Sequence, residues 1–146
     1  MADFFDAVDV SASALSAERM RMNTTSSNLA NAQTTRSPEG GPYRRKDVIF
    51  EAQPQREFAS LLQGHLDVPM HKVNVVDVVS DLNPPRVVHE PNHADADPEG
   101  YVAYPNINTM EEMVNLVTAS RTYEANVTAI SVAKNMMSKA LEIGRK

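Results

Sequence analysis

Cysteine and tryptophan are absent from the 146 residues, and aromatic side chains make up only 5% of them. Without cysteine there are no disulfides and no thiolate metal ligands, which fits either a cytosolic chain or an exported one that needs no covalent staples. With aromatics scarce, burial rests on Val, Leu, Ile, Met and Ala, which suit helix seams better than a deep pocket. Positive charge is also in short supply. A net charge of −5 leaves no concentrated basic face, so nucleic acid is excluded as a partner. Long apolar runs are missing too: no stretch approaches the roughly 18 residues of a membrane span. Met1-Ala2-Asp3-Phe4-Phe5-Asp6 has no basic region leading into an apolar one, so the expectation is neither direct membrane insertion nor a cleaved signal peptide.

Proline and glycine are also absent from two long terminal stretches, and there the apolar residues are periodic. From Phe4 to Ala32, Phe5, Val8, Ala12, Leu15, Met22 and Leu29 recur in steps of three and four, with Arg19 and Ser26 completing the register. This predicts an amphipathic helix of roughly 40 Å with a coiled-coil seam. A second helix is announced at Asn106-Ile107-Asn108-Thr109, where Thr109 with Glu112, or Asn108 with Glu111, makes a capping box. Its seam runs through Met113, Leu116, Tyr123, Val127, Ile130, Met137 and Leu141, with Ser120 and Lys134 as polar interruptions, and Gly144 is the natural stop. That helix would span roughly 50 Å.

Between them, Ser37-Pro38-Glu39-Gly40-Gly41-Pro42 ends the first helix, and most of the proline and glycine falls between there and Pro105. Short strand-like runs follow at Tyr43 to Glu51, Lys72 to Val79, Arg86 to His89 and Gly100 to Tyr104, kept short by Pro84-Pro85 and Pro91. The predicted fold is therefore mainly α with a small β insertion. Long N- and C-terminal helices pair as an antiparallel coiled coil around a central Pro/Gly-rich β segment. In domain terms, residues 1-36 and 106-146 form a terminal helical domain, and 37-105 form the β-rich insertion. Two unequal helices cannot cover the wider apolar face of the second one. Either the hairpin folds onto the β insertion, or neighbouring copies cover it.

Two motifs suggest an enzyme. His89-Glu90-Pro91-Asn92-His93 matches the His-Glu-x-x-His zinc pattern, but Pro91 sits inside the turn that must be helical and biases Glu90 away from it. Asp95-Ala96-Asp97-Pro98-Glu99-Gly100 begins like a calcium loop, yet its twelfth position is Asn106 and flanking prolines deny the helices. No catalytic, cofactor-binding or metal-binding residue is assigned, and no cofactor is expected. Arg44-Arg45-Lys46 reads as a solvated or interfacial strand edge. Asn28 and Asn31, at the end of the first helix, either cap its carbonyls or fix register across neighbours. Arg121 and Glu124 are i,i+3 neighbours of the kind that is usually solvated.

Three segments in order resemble the flagellar basal-body rod protein family, most closely its proximal rod members. The first runs from Ser11 to Ala17, continues through Met22-Asn23 and ends in Asn28-Leu29-Ala30-Asn31. The second is Gly41-Pro42-Tyr43-Arg44-Arg45-Lys46 with Val48 and Phe50. The third spans Tyr101-Val102, Pro105 to Asn108, Glu112-Met113-Val114 and Ala119 to Asn126, including Arg121 and Glu124. Thr24-Thr25 and the stretch from Gln53 to Pro69 depart from the pattern. The resemblance implies a structural subunit of the periplasm-spanning rod that polymerises through its terminal helices. It also implies delivery by the flagellar type III export apparatus, with copies of itself and other proximal rod proteins as partners. The rival readings are a cytosolic helical-hairpin binding module of the export system and a metal-dependent hydrolase using His89, Glu90 and His93.

Overall fold

The computed structural model describes residues 2–38, 40–54 and 71–144, so Glu39 in the turn cluster and most of the unmatched stretch from Gln53 to Pro69 lie outside the described residues. A long helix stands at each end of the described chain: α1 (Ala2–Ala30) and α2 (Thr109–Gly144). In sequence they flank four strands, β1 (Lys46–Pro54), β2 (His71–Ser80), β3 (Arg86–His89) and β4 (Tyr101–Tyr104). The strands form two small sheets, β1 with β2 and β3 with β4. β3 and β4 are antiparallel, from Arg86 opposite Tyr104 to His89 opposite Tyr101.

Both helices begin or end where side chains take over backbone hydrogen bonds. Asn108 starts α2: its Oδ1 accepts the Met110 N–H at 3.1 Å, and its carbonyl accepts the Glu112 N–H at 3.0 Å. Glu111 and Glu112 then place negative charge in the first turn, where the helix dipole favours it. At the end of α1, Asn31 Nδ2 donates to the Ser27 carbonyl at 2.9 Å and Ala32 closes a tighter turn onto Leu29. Thr34 then bonds Asn31 through both backbone and hydroxyl, and Tyr43 N–H returns to the Thr34 carbonyl.

Contacts gather the chain into two compact units, each drawing on both helices. One contains the described residues of Met1–Arg19, Phe50–Val76 and Ser120–Lys146. Within it, the Val73 N–H donates to Ser13 Oγ at 3.1 Å and Lys72 pairs with Asp9 at 2.7 Å, which ties the start of β2 to α1. Its only buried side chain among the described residues is Ala17.

The other unit, Met20–Ile49 and Asp77–Ala119, holds Val102 and Ala119 together with three buried polar residues, Thr25, Asn28 and Glu112. Its 90–100 loop is closed by its own backbone, Glu90 N–H to the Gly100 carbonyl and Gly100 N–H to the Asp97 carbonyl, both at 2.9 Å. Gly100 has φ +83° and no room for a side chain: a Cβ there would come within 3.1 Å of both His89 and Pro91.

Candidate assembly interface

Of the three largest fully buried side chains among the described residues, Glu112, Val102 and Asn28, two are polar. Asn28 and Glu112 are each 1% exposed, and they meet. Asn28 Nδ2 donates to the Lys46 carbonyl at 2.7 Å and to Glu112 Oε2 at 3.1 Å. Its Oδ1 accepts the Lys46 N–H at 2.9 Å and the Tyr43 hydroxyl at 3.1 Å. Every hydrogen bond available to a side-chain amide is therefore made inside the chain. Because it engages both the N–H and the C=O of Lys46, the amide of a helix residue stands in for a neighbouring strand at the start of β1.

Glu112 completes the junction. Arg45 Nε donates to its Oε1 at 2.7 Å, while Arg45 Nη1 reaches Asp47 at 3.2 Å. Burial on its own would lower the Arg45 pKa, but the hydrogen bonds and charges of Glu112 and Asp47 outweigh it and raise the guanidinium above its ordinary value. The carbonyl of Arg45 accepts the Asp81 N–H at 2.7 Å. The Asp81 carboxylate in turn holds the backbone and side-chain N–H groups of Asn83, which lowers its pKa, with the Arg45 charge as a smaller contribution. The end of α1, the start of β1, the residue after β2 and the first turn of α2 are thus joined through one arginine and one asparagine.

The helix-seam residues fall beside this buried line. Val8, Leu15, Met22 and Leu29 on α1, and Leu116, Tyr123, Ile130 and Met137 on α2, are half-buried. Met113 (48% exposed), Val127 (44%) and Leu141 (63%) face outward. On α2 the inward face instead runs through Glu112, Ala119, Tyr123, Asn126, Ile130, Ala133 and Met137. Asn31 caps α1, Asn126 Nδ2 donates to the Thr122 carbonyl at 3.0 Å, and Arg121 and Glu124 are exposed. Glu112 and Arg45 carry the junction, although periodicity and composition marked neither as a buried pair. The available signal was a carboxylate seven residues before Ala119, on the face that also bears Tyr123.

The residues that suggested metal chemistry are used for loop architecture. His89 closes β3 and packs its ring edge-on against Tyr101, with centroids 5.0 Å apart. Glu90 accepts the Tyr104 hydroxyl at 2.8 Å, a hydrogen bond that raises the Tyr104 pKa. His93 Nδ1 accepts the Asp95 N–H at 3.1 Å. The segment passes from strand to turns, so the helical spacing the zinc motif requires is not formed. Asp95 takes the Thr35 hydroxyl at 2.8 Å and lies 3.4 Å from Arg36, and Asp97 accepts the N–H groups of Glu99 and Tyr101. Both carboxylates thus brace the loop.

Comparison with known proteins places this geometry. Residues 9–36 match the family described as Flagella basal body rod protein, and residues 99–143 match Flagellar basal body rod FlgEFG protein C-terminal. The chain is 44% identical to the flagellar basal-body rod protein FlgC of Bacillus subtilis, over 97% of this chain and 98% of the relative. It is 38% identical to FlgC of Borreliella burgdorferi, over 95% and 96%, and 40% identical to FlgC of Yersinia enterocolitica, over 94% and 95%.

Proposed function

The chain belongs to the FlgC family of flagellar basal-body rod proteins, and from that premise we propose that it polymerises through its terminal helices into the proximal part of the rod. As a family member it is a structural rod subunit and not an enzyme. In the proposed assembly the helical domain, residues 1-36 and 106-146, lies toward the axis with α1 and α2 antiparallel, and the 37-105 insertion lies outside. The composition of the two units supports that direction: the beginning of α1 clusters with the end of α2, and the end of α1 with the beginning of α2.

One observation carries the proposal. Large apolar side chains stay exposed along α2 after the chain has made its own contacts, among them Val114, Val117, Val127, Val132, Met136 and Leu141. An exposed apolar face of this kind marks an interaction surface. Repeating one subunit by a helical operator produces dissimilar contacting surfaces and an open polymer, the form of a shaft. Torque is then borne by many packed helix faces and not by a single bond. The proposed neighbours are copies of this chain and other proximal rod proteins, with delivery to the periplasmic rod through the flagellar type III export apparatus.

Val127→Asp tests the proposal cleanly, because Val127 is exposed in the single chain and the substitution leaves its own fold intact. The expected result is unchanged helicity of the soluble protein, absence of the variant from isolated basal bodies and loss of motility. Normal rods built from Val127→Asp subunits would show that this side of α2 is not an assembly surface.

A further inference from the structure

Burial is unevenly divided along the two helices. Around the Asn28 amide, four hydrogen bonds and an ion pair between the buried Glu112 carboxylate and the half-buried Arg45 guanidinium involve only residues of this chain. They hold the last turns of α1 and the first turns of α2, together with Thr25 and Ala119, which are also buried. Away from this junction little of either helix is fully buried, although Ser13 and Asp9 still bond the start of β2. No described side chain of α2 after Ala119 is buried, and on the described part of α1 before Thr25 only Ala17 is.

We infer that the Asn28–Arg45–Glu112 junction is a preformed clamp that keeps the end of α1 and the start of α2 helical in the isolated chain, so that the outer stretches of both helices form by extension from it. The physical reason is the cost of starting a helix. A first turn fixes several dihedrals for a single hydrogen bond, a nucleation factor of about 10⁻³, whereas each further residue adds one bond for one residue fixed. A junction that already holds one turn of each helix removes that initial cost. The outer stretches can then lengthen or shorten at small free-energy differences, as expected of segments with few buried contacts.

The clamp also fixes orientation. Asn28 reads the backbone of Lys46, and Glu112 reads Asn28 and Arg45 together, so a helix that starts here starts in one register. Residues 20–30 and 109–119 are therefore part of the stable body, and the boundary between stable and labile backbone runs through the middle of each helix, not at the helix ends. This inference concerns the single chain and does not rest on the rod reading, so its test is independent of whether the protein enters a basal body.

Hydrogen exchange of the full-length soluble monomer is the test. Amides of residues 24–29 and 113–119 are expected to exchange about a hundredfold or more slowly than those of 8–16 and 124–140. Ile130→Pro, which breaks the outer stretch of α2, should leave the slow set unchanged. Asn28→Asp should release the slow amides of both helices together. Uniform protection along both helices, loss of the slow set in Ile130→Pro, or its survival in Asn28→Asp would each overturn the inference.

Discussion

A buried amide is tolerable only when all of its hydrogen bonds are made, because each unmet donor or acceptor keeps the cost of leaving water without a return. Asn28 meets that requirement with two donors and two acceptors, and no other residue type of its size has the same set. Aspartate is the sharpest test. Asn28→Asp preserves shape but replaces Nδ2 with an oxygen that would face the Lys46 carbonyl and the Glu112 carboxylate, the present partners at 2.7 and 3.1 Å. Urea unfolding of the variant should show a loss of about 3 kcal/mol, the scale of an unsatisfied buried group combined with an uncompensated charge. A change within about 0.5 kcal/mol, the range of ordinary surface substitutions, would show that the amide is not engaged as described.

At the scale of elements, small side chains matter as much as polar ones. Ala119 is completely buried and Ala17 nearly so, and a residue with only a Cβ at the centre of a helix face permits close approach of its neighbour. Ala119→Leu adds three heavy atoms where there is no room, and should cost about 1–3 kcal/mol in thermal or urea unfolding through displaced backbone and strained rotamers. A stable, unshifted Ala119→Leu would mean that the face is loosely packed.

The same positions explain what could and could not be read in advance. Some limits were legible because proline and glycine punctuate them: the expected second helix at Thr109 to Ile143 is observed as Thr109–Gly144, and the expected strand at Arg86 to His89 is β3 itself. Others were not: α1 stops at Ala30 under the Asn31 cap, ahead of the Pro/Gly cluster, and the strand expected at Tyr43 to Glu51 is observed as Lys46–Pro54. The phase of the buried face was not legible from periodicity. A stripe scored on large apolar residues runs through Leu15, Met22 and Leu29 and through Met113 and Val127. The most buried positions, Ala17, Thr25 and Asn28 on α1 and Glu112 and Ala119 on α2, are small or hydrogen-bonded, and such residues carry no weight in a hydrophobic pattern. The Arg45–Glu112 pair was hidden for a related reason. A strand-edge arginine and a first-turn glutamate each have a solvated explanation, and only the fold brings them together across 67 residues of chain.

For the whole molecule, the surface that unfolding exposes measures how much of the chain acts as one cooperative body. The slope of stability against denaturant scales with that surface. If the clamp holds Met20–Ile49 and Asp77–Ala119 as the stable body, the cooperative unit is about half the chain, and the outer helical stretches melt separately at lower denaturant. The expected urea m-value of the monomer's main transition is therefore about half that of a two-state protein of this length. Helicity followed at 222 nm should begin to fall before the ring resonances of Tyr43, which bonds Asn28, report loss of its environment by NMR. Coincident transitions with a full-length slope would show that both helices fold as one with the rest, and the division of labour between a self-sufficient junction and extendable ends would have to be abandoned. A rod subunit gains from that division. The junction sets where and in what register the helices start, while the outer stretches leave apolar faces such as Val127 and Met136 to be satisfied by whatever packs against them.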